Sequence, residues 1–288
     1  AAGVGVAGVS VAAGATFSSN FSINLSPNSA DVAMAAGQFS ALTTKIEGYN
    51  YRRLKDKTAT LSFWVYGSKV GIYCVGFRNN GTNRSYISEY TINQANTWEK
   101  KTITLTFNQS GGTENYSDGN GLGISFVLSA GSTYHEAAGS WKNGNYFATA
   151  NQVNFMDDGL NQFYLTLVQL ELGATATDFE YRSFAEEMGL CQRYYVKFGA
   201  IDIFARGASS TSVLATFSMP ITMAPMLYIT GSVAVLKYDA SATGGTPSVA
   251  FFSQNVSYVR MMITGLTGIT DDAVYRVTSS VLELDSRL

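Results

Sequence analysis

The chain is poor in charge, histidine, proline and cysteine, and each shortage excludes something. Only 14% of its 288 residues are Asp, Glu, Lys or Arg, well below the usual quarter. Charge keeps free monomers soluble, so a surface this bare points to burial in an oligomer. The formal net charge of −2 offers no electrostatic reason to expect nucleic acid or an anionic membrane as partner. The one histidine, His135, must serve in any Ser-His-Asp triad. The two cysteines, Cys74 and Cys191, are far apart and form neither a disulfide framework nor a zinc site. They read as free thiols, in keeping with assembly in a reducing cytosol. No apolar run reaches a membrane span: Ala1–Ala15 is uncharged but shorter than the roughly 20 residues required, and it lacks the basic start of a signal peptide. The missing initiator Met reads as a fragment or a processed chain.

What is abundant is the vocabulary of short strands and turns. Hydrophobic residues make up 46%, with 28 Gly, 17 Tyr and 17 Phe, and Ser, Thr and Asn fill most polar positions. Thr58–Tyr66 alternates Leu61, Phe63 and Val65 against Thr60, Ser62 and Trp64. Val70–Phe77, Tyr86–Ile92, Lys101–Phe107, Gly123–Leu128 and Asn161–Leu172 read likewise, and the Val4/Val6 and Val9/Val11 alternations look like strand edges. Turn formers separate them at Asn79-Asn80-Gly81, Gly111-Gly112, Asp118–Gly121 and Asp157–Gly159. The fold class is therefore all-β: a sandwich or jelly roll, then a second sandwich-like β domain. One helix interrupts it. Ser183 precedes Glu186 at capping-box spacing, and Phe184, Met188 and Cys191 recur at i, i+4, i+7, giving a helix from about Phe184 to Arg193. The domains are residues 1–182, a connector at 183–195, and a C-terminal β domain at 196–288. In that last domain Pro220 and Pro225 bracket a short run, and Gly244–Pro247 marks an exposed loop.

Candidate chemistry is sparse. Glycoside hydrolysis needs two carboxylates roughly 5–10 Å apart, and Glu114, Asp118, Glu136, Asp157 and Asp158 are the candidates. All lie in stretches where polar turns call for acids anyway. No nucleophile elbow appears, so the chain reads as no enzyme, with His135 an exposed loop residue. Asp118, Asn120, Asp157 and Asp158 can offer oxygen ligands for a structural Ca²⁺, without matching an EF-hand. No other cofactor is expected, and GVGVAGV near the N-terminus lacks the spacing of a phosphate loop. The most suggestive stretch is Ser132–Ala148, which places Tyr134, Trp141, Tyr146 and Phe147 among Gly and polar residues. Exposed rings can stack on sugar faces while Asn143 and Asn145 bond hydroxyls. Tyr134, Trp141, Asn143, Asn145 and Tyr146 are the candidate carbohydrate site, set against the alternative that Trp141 or Phe147 plugs one end of the sandwich. Trp64 and Trp98 read as packing residues.

One stretch carries a resemblance. Gln169–Phe198 holds Gln169, Leu170, Glu171 and Gly173, then Ala176, Thr177, Phe179, Glu180 and Arg182, then Glu186, Glu187 and Cys191–Tyr195. That order resembles a segment common in bacteriophage tail-fibre and other virion proteins. Leu61–Val65, Arg78-Asn79, Asn83–Tyr86, Asn96–Thr104 and Gly131–Tyr134 with Trp141 are similar to the same family's N-terminal unit, itself like the jelly-roll carbohydrate-binding modules. Asp178 and Ser183 stand where that family often has Pro. The resemblance covers roughly residues 38–198. It implies a homotrimer in the virion tail, assembled in the host cytoplasm beside other tail proteins and attaching to host-surface glycans. The alternatives it leaves are a purely structural part, such as a capsid decoration or fibre shaft, and a polysaccharide depolymerase. In this segment Phe179 and Tyr181 are expected to pack the chain back onto the core, and Tyr194 and Tyr195 suit a subunit interface.

Overall fold

The computed structural model describes residues 2–8, 19, 21–108, 111–198, 201–218, 227–230, 234–237, 244–255, 258–267, 269, 274–279 and 282–286. The chain divides into two compact units, Ala1–Tyr181 and Arg182–Leu288. In the first lie β1 (Ala2–Gly8), β2 (Phe21–Pro27), β3 (Phe39–Glu47), a one-turn helix α1 (Gly48–Tyr51), β4 (Thr58–Gly67) and β5 (Gly71–Asn79). They are followed by β6 (Arg84–Ile92), β7 (Trp98–Thr106), β8 (Asn120–Ala130), β9 (Trp141–Asn143) and β10 (Phe163–Leu172). These strands make two antiparallel sheets, ordered β1-β2-β10-β4-β7 and β3-β8-β5-β6-β9, the all-β jelly-roll sandwich that the strand pattern predicts.

The core forms where alternation aims one face of each sheet at the other. Leu61, Phe63 and Val65 of β4 are fully buried, as are Tyr73, Val75 and Phe77 of β5. Phe63 meets Phe126 and Tyr90 of the facing sheet edge-on, each at a centroid distance of 5.1 Å. Such pairs add to the apolar burial that drives the two layers together. The outer face of β4 is less open than alternation implies. Thr60 and Ser62 are buried too, and Thr60 donates to the Gly173 carbonyl at 2.8 Å, where the chain leaves β10.

That exit is governed by a bulge. The β10–β4 register slips between Thr166 and Gln169, and Leu167 takes φ of 50°, a left-handed conformation costly for a non-glycine residue. The extra residue reverses the parity of the strand. Phe163 and Leu165 point into the core before it, whereas Gln169 and Glu171 point outward after it. Their side chains then grip the returning backbone. Gln169 Oε1 accepts from Glu180 N at 2.8 Å, and Glu171 accepts from Thr177 N at 2.9 Å and from its hydroxyl at 2.7 Å. The Thr177 amide and hydroxyl, followed by Gln169, hold the Glu171 carboxyl below its ordinary pKa. Phe179 and Tyr181 pair with each other at 5.1 Å, but Tyr181 remains 63% exposed. The chain is held back by polar clamps, not by these two rings entering the core.

In the second unit, α2 (Phe184–Gln192) precedes β11 (Tyr195–Phe198), β12 (Ile201–Ser209), β13 (Ser212–Ser218), β14 (Leu227–Thr230) and β15 (Ala234–Lys237). Then come β16 (Gly244–Asn255), β17 (Tyr258–Thr267), β18 (Val274–Ser279) and β19 (Leu282–Ser286). The sheets run β15-β18-β12-β13-β17-β16 and β11-β19-β14, and Val213, Ala215, Ile263, Leu266 and Val277 form a core. The Ser183 capping box is complete, with Ser183 Oγ accepting from Glu186 N and the Glu186 carboxylate accepting from Ser183 N. No residue of α2 is buried. Gly244–Pro247, expected as a loop, instead opens β16. The register shift between Gly245 and Ser248 lets Thr246 and Pro247 pass as a bulge, a position where proline's missing N–H breaks no ladder bond. Pro220, Pro225, Val9 and Val11 lie outside the described residues. Among the described residues, no helix is long and apolar enough to cross a membrane.

Candidate functional site

The stretch from Gly131 to Asn154 folds against the β3–β9 sheet, and its residues part into two clusters. Strand parity decides which goes where. Trp141 pairs with Tyr86 and Asn143 with Arg84, so all four lie on the core-facing side of β6 and β9, at the edge of that sheet. Gly144, at φ of +139°, then turns the chain over the edge. Asn145 and Phe147 arrive on the opposite, outer face.

On the outer face Phe147 is fully buried because β5 has no side chain beneath it: a Cβ at Gly76 would lie 2.4 Å from the Phe147 Cβ. Tyr134 stacks on Phe147 at 4.6 Å and 25°, and Phe39 meets both rings edge-on at 5.1 and 4.8 Å. The Arg78 guanidinium lies 4.7 Å over the Phe147 ring. It donates to Asn145 Oδ1 at 2.9 Å and to Ser125 Oγ at 3.3 Å, and burial pulls its pKa below the ordinary value. Tyr146 is half-buried, with its ring across Gly144, where a Cβ would come within 2.2 Å of it. This cluster is packed, and both terminal nitrogens of Arg78 are engaged, while its Nε is buried without a hydrogen-bond partner among the described residues.

The edge cluster is open. Trp141 is half-buried and donates through Nε1 to the Thr106 carbonyl of β7 at 2.9 Å, which ties the edges of the two sheets together. Its ring lies 5.6 Å from Tyr86 and 6.0 Å from Phe107. The Arg84 guanidinium stands 5.8 Å over the indole, donating to Asn143 Oδ1 at 3.2 Å and, through Nε, to the Asn108 carbonyl at 3.4 Å. Arg84, Tyr86 and Trp141, with Thr58, Thr104 and Thr106, line a groove of about 490 Å³, within the roughly 300–1,000 Å³ of small-ligand sites.

Of the five residues expected to form one carbohydrate site, the structure thus brings Trp141 to Asn143. It sends Tyr134, Asn145 and Tyr146 to the other face, where Asn145 is occupied by Arg78. Arg84, Tyr86 and the threonines of β7 are the lining residues that sequence reasoning missed. Arg84 and Tyr86 lie in the Asn83–Tyr86 run, but nothing in the order of residues sets that run beside Trp141.

The other candidates are held in local structure. His135 is half-buried and its Nε2 lies 2.9 Å from the Ala130 carbonyl, so it is no exposed loop residue. Asp157 pairs with Lys69 and accepts from Asn161 Nδ2 at 3.2 Å. Asp158 accepts from Leu160 N at 2.9 Å, and Glu136 lies 3.9 Å from Lys142. In the Asp118 turn, Asn115 Nδ2 donates to the Asp118 carbonyl at 2.6 Å. Among the described residues no group of three or more His, Cys, Asp or Glu side chains is placed to hold a metal ion. Cys74 is buried beside Thr149, its thiol pushed up to about 11 by that burial, which keeps it from acting as a thiolate at neutral pH. Trp98 packs on Tyr66 at 5.6 Å.

No protein-family model and no curated protein matches this chain.

Proposed function

We propose that this chain is a non-enzymatic attachment protein of a bacteriophage virion tail, binding host-surface glycan through the Trp141 groove. The observation that carries the reading is the half-buried Trp141 ring beside Arg84, Tyr86 and three threonines in an open groove of about 490 Å³. An aromatic face with hydroxyls and a fixed fork donor around it is what a sugar ring needs. The resemblance of Gln169–Phe198 to tail-fibre proteins supports the virion assignment, with other tail proteins and further copies of the chain as partners. Self-association into a homotrimer is supported by α2, which buries none of its residues and leaves Phe184 79% and Met188 42% exposed. Light scattering of the purified protein reads that mass directly, and a monomer at micromolar concentration would remove the trimer.

Attachment is tested by binding of the intact protein to host cells and to a bacterial glycan array. Trp141→Ala is expected to weaken binding at least tenfold while the fold melts cooperatively. Unchanged binding would defeat the reading, and release of oligosaccharide from host capsule would replace it with a depolymerase.

A second reading has an observation of its own. The Trp141–Thr106 bond joins the two sheet edges, as a purely structural component of a capsid or fibre shaft would require. That reading wins if Trp141→Ala lowers the melting temperature and no glycan or cell surface binds the parent protein.

A further inference from the structure

The groove is charged on one side only. Among its described lining residues Arg84 is the sole ionisable group apart from Tyr86, and the others present threonine, serine, asparagine, glycine, leucine and indole surface. The guanidinium is fixed in place by Asn143 and by the Asn108 carbonyl. These bonds occupy Nε and Nη1, and the second terminal nitrogen, Nη2, has no hydrogen-bond partner among the described residues. Arg84 makes no ion pair within 4.0 Å among them either. The Glu114 carboxyl feels Arg84 from outside the groove lining. A cation held rigidly by two neutral acceptors is set up for a planar anion, because a guanidinium matches a carboxylate in shape as well as in charge.

We infer that the ligand of the Trp141 groove is an acidic sugar, a uronic-acid residue whose carboxylate pairs with Arg84 while its ring lies against Trp141. This rests on the glycan reading above and narrows it to a chemical class. Neutral sugars stack on indole equally well, so the acid group is the discriminating element. Serine and threonine hydroxyls along Thr104, Thr106 and Ser140 suit the remaining ring hydroxyls. The ring itself supplies most of the contact area.

The test uses the full chain and two probes, a glucuronic-acid-containing oligosaccharide and the same compound with its carboxyl reduced to the alcohol. Calorimetry on the parent protein is expected to show the acid bound ten- to a hundredfold more tightly, the range lost with one charge-assisted hydrogen bond. Raising salt from 50 to 500 mM should erode that preference, since a half-exposed pair is screened. Arg84→Gln keeps donors for Asn143 and Asn108 and should bring the two probes level. Arg84→Lys keeps the charge but not the fork, and should retain only part of the preference. Equal binding of both probes by the parent protein, with loss of both in Trp141→Ala, would overturn the acidic ligand and leave the glycan reading intact. A preference for the acid that survives Arg84→Gln would also overturn it. Binding of neither probe, nor of any arrayed glycan, would remove both readings together. A cooperative thermal melt of each variant within a few degrees of the parent identifies changes in binding that do not come from unfolding.

Discussion

Arg78 and Arg84 flank one hairpin turn, and each lies over an aromatic ring and donates to an asparagine supplied by the same loop. The arrangements look alike and do opposite things. Arg78 closes over Phe147, a ring with no exposed surface, and places its two terminal nitrogens on Asn145 and Ser125, with Nε buried and unpaired among the described residues. Arg84 closes over Trp141, a ring at the rim of a groove, and keeps one terminal nitrogen without a partner among the described residues. The difference comes from parity. Adjacent residues of a strand face opposite ways, and Arg78 opposes Ser85 in the register, so the neighbouring Arg84 faces the other side. One motif thus anchors the loop, and its mirror across the sheet holds a terminal nitrogen at an open groove. Chemical likeness alone does not separate the two clusters; the covering of the ring does.

The sharpest way to break the comparison is to remove each ring. Phe147→Ala opens a cavity between Gly76, Tyr134 and Phe39, and a loss of about 3–5 kcal/mol is expected for a fully buried phenylalanine. Trp141→Ala gives up partial burial and one hydrogen bond, and about 1–2 kcal/mol is expected. Urea denaturation of the two variants measures both. Equal losses would mean that Trp141 is as structural as Phe147.

The arginines come next in size. Arg78→Met takes a donor from exposed Asn145 and from part-buried Ser125, which keeps Thr43, and strips the guanidinium cover from Phe147, costing about 1–2 kcal/mol. Arg84→Met should cost under about 1 kcal/mol, because its partners face the open groove. Glycan binding should respond in the reverse order, with Arg84→Met losing the acid preference and Arg78→Met keeping it. A single ranking for both stability and binding would collapse the distinction between the two clusters.

Much of the sandwich was legible in its strands, because β4 writes the core as Leu61, Phe63 and Val65 in strict alternation. β3 was not, since FSALTTKIE spreads threonine, serine and lysine over a sheet face that the loop covers only in part. The clamps of Gln169 and Glu171 were hidden by the Leu167 bulge, which shifts parity mid-strand; periodicity alone would aim Gln169 into the core. At the site, Tyr134, Trp141, Asn143, Asn145 and Tyr146 were singled out together because they are close in sequence. A three-residue strand such as β9 is too short to show a period, so the face that Trp141 and Asn143 share could not be read. Arg84 and the β7 threonines come from strands far away in sequence, brought in by pairing that no local pattern encodes.

The smallest effect concerns what lies beside Arg84. Burial, opposed by Tyr51, Asn79 and Arg84, raises the pKa of the Glu114 carboxyl above its ordinary value. A carboxyl raised in this way favours the fold while it is protonated. Its contribution is whole below the unfolded value of about 4.3 and is lost as pH climbs through the higher folded value. Glu114→Gln mimics the protonated form at every pH. Relative to the parent, the variant should therefore match it near pH 4 and be more stable at pH 7, by no more than about 0.5 kcal/mol once solvent screening is counted. Urea midpoints at the two pH values measure the difference. The same change removes a negative charge that partly offsets Arg84, so affinity for the acidic probe should rise about twofold, with no counterpart at Arg78. A variant less stable than the parent at pH 7 would show that the ionised carboxylate supports the turn, and would place Arg84, like Arg78, in a closed structural network.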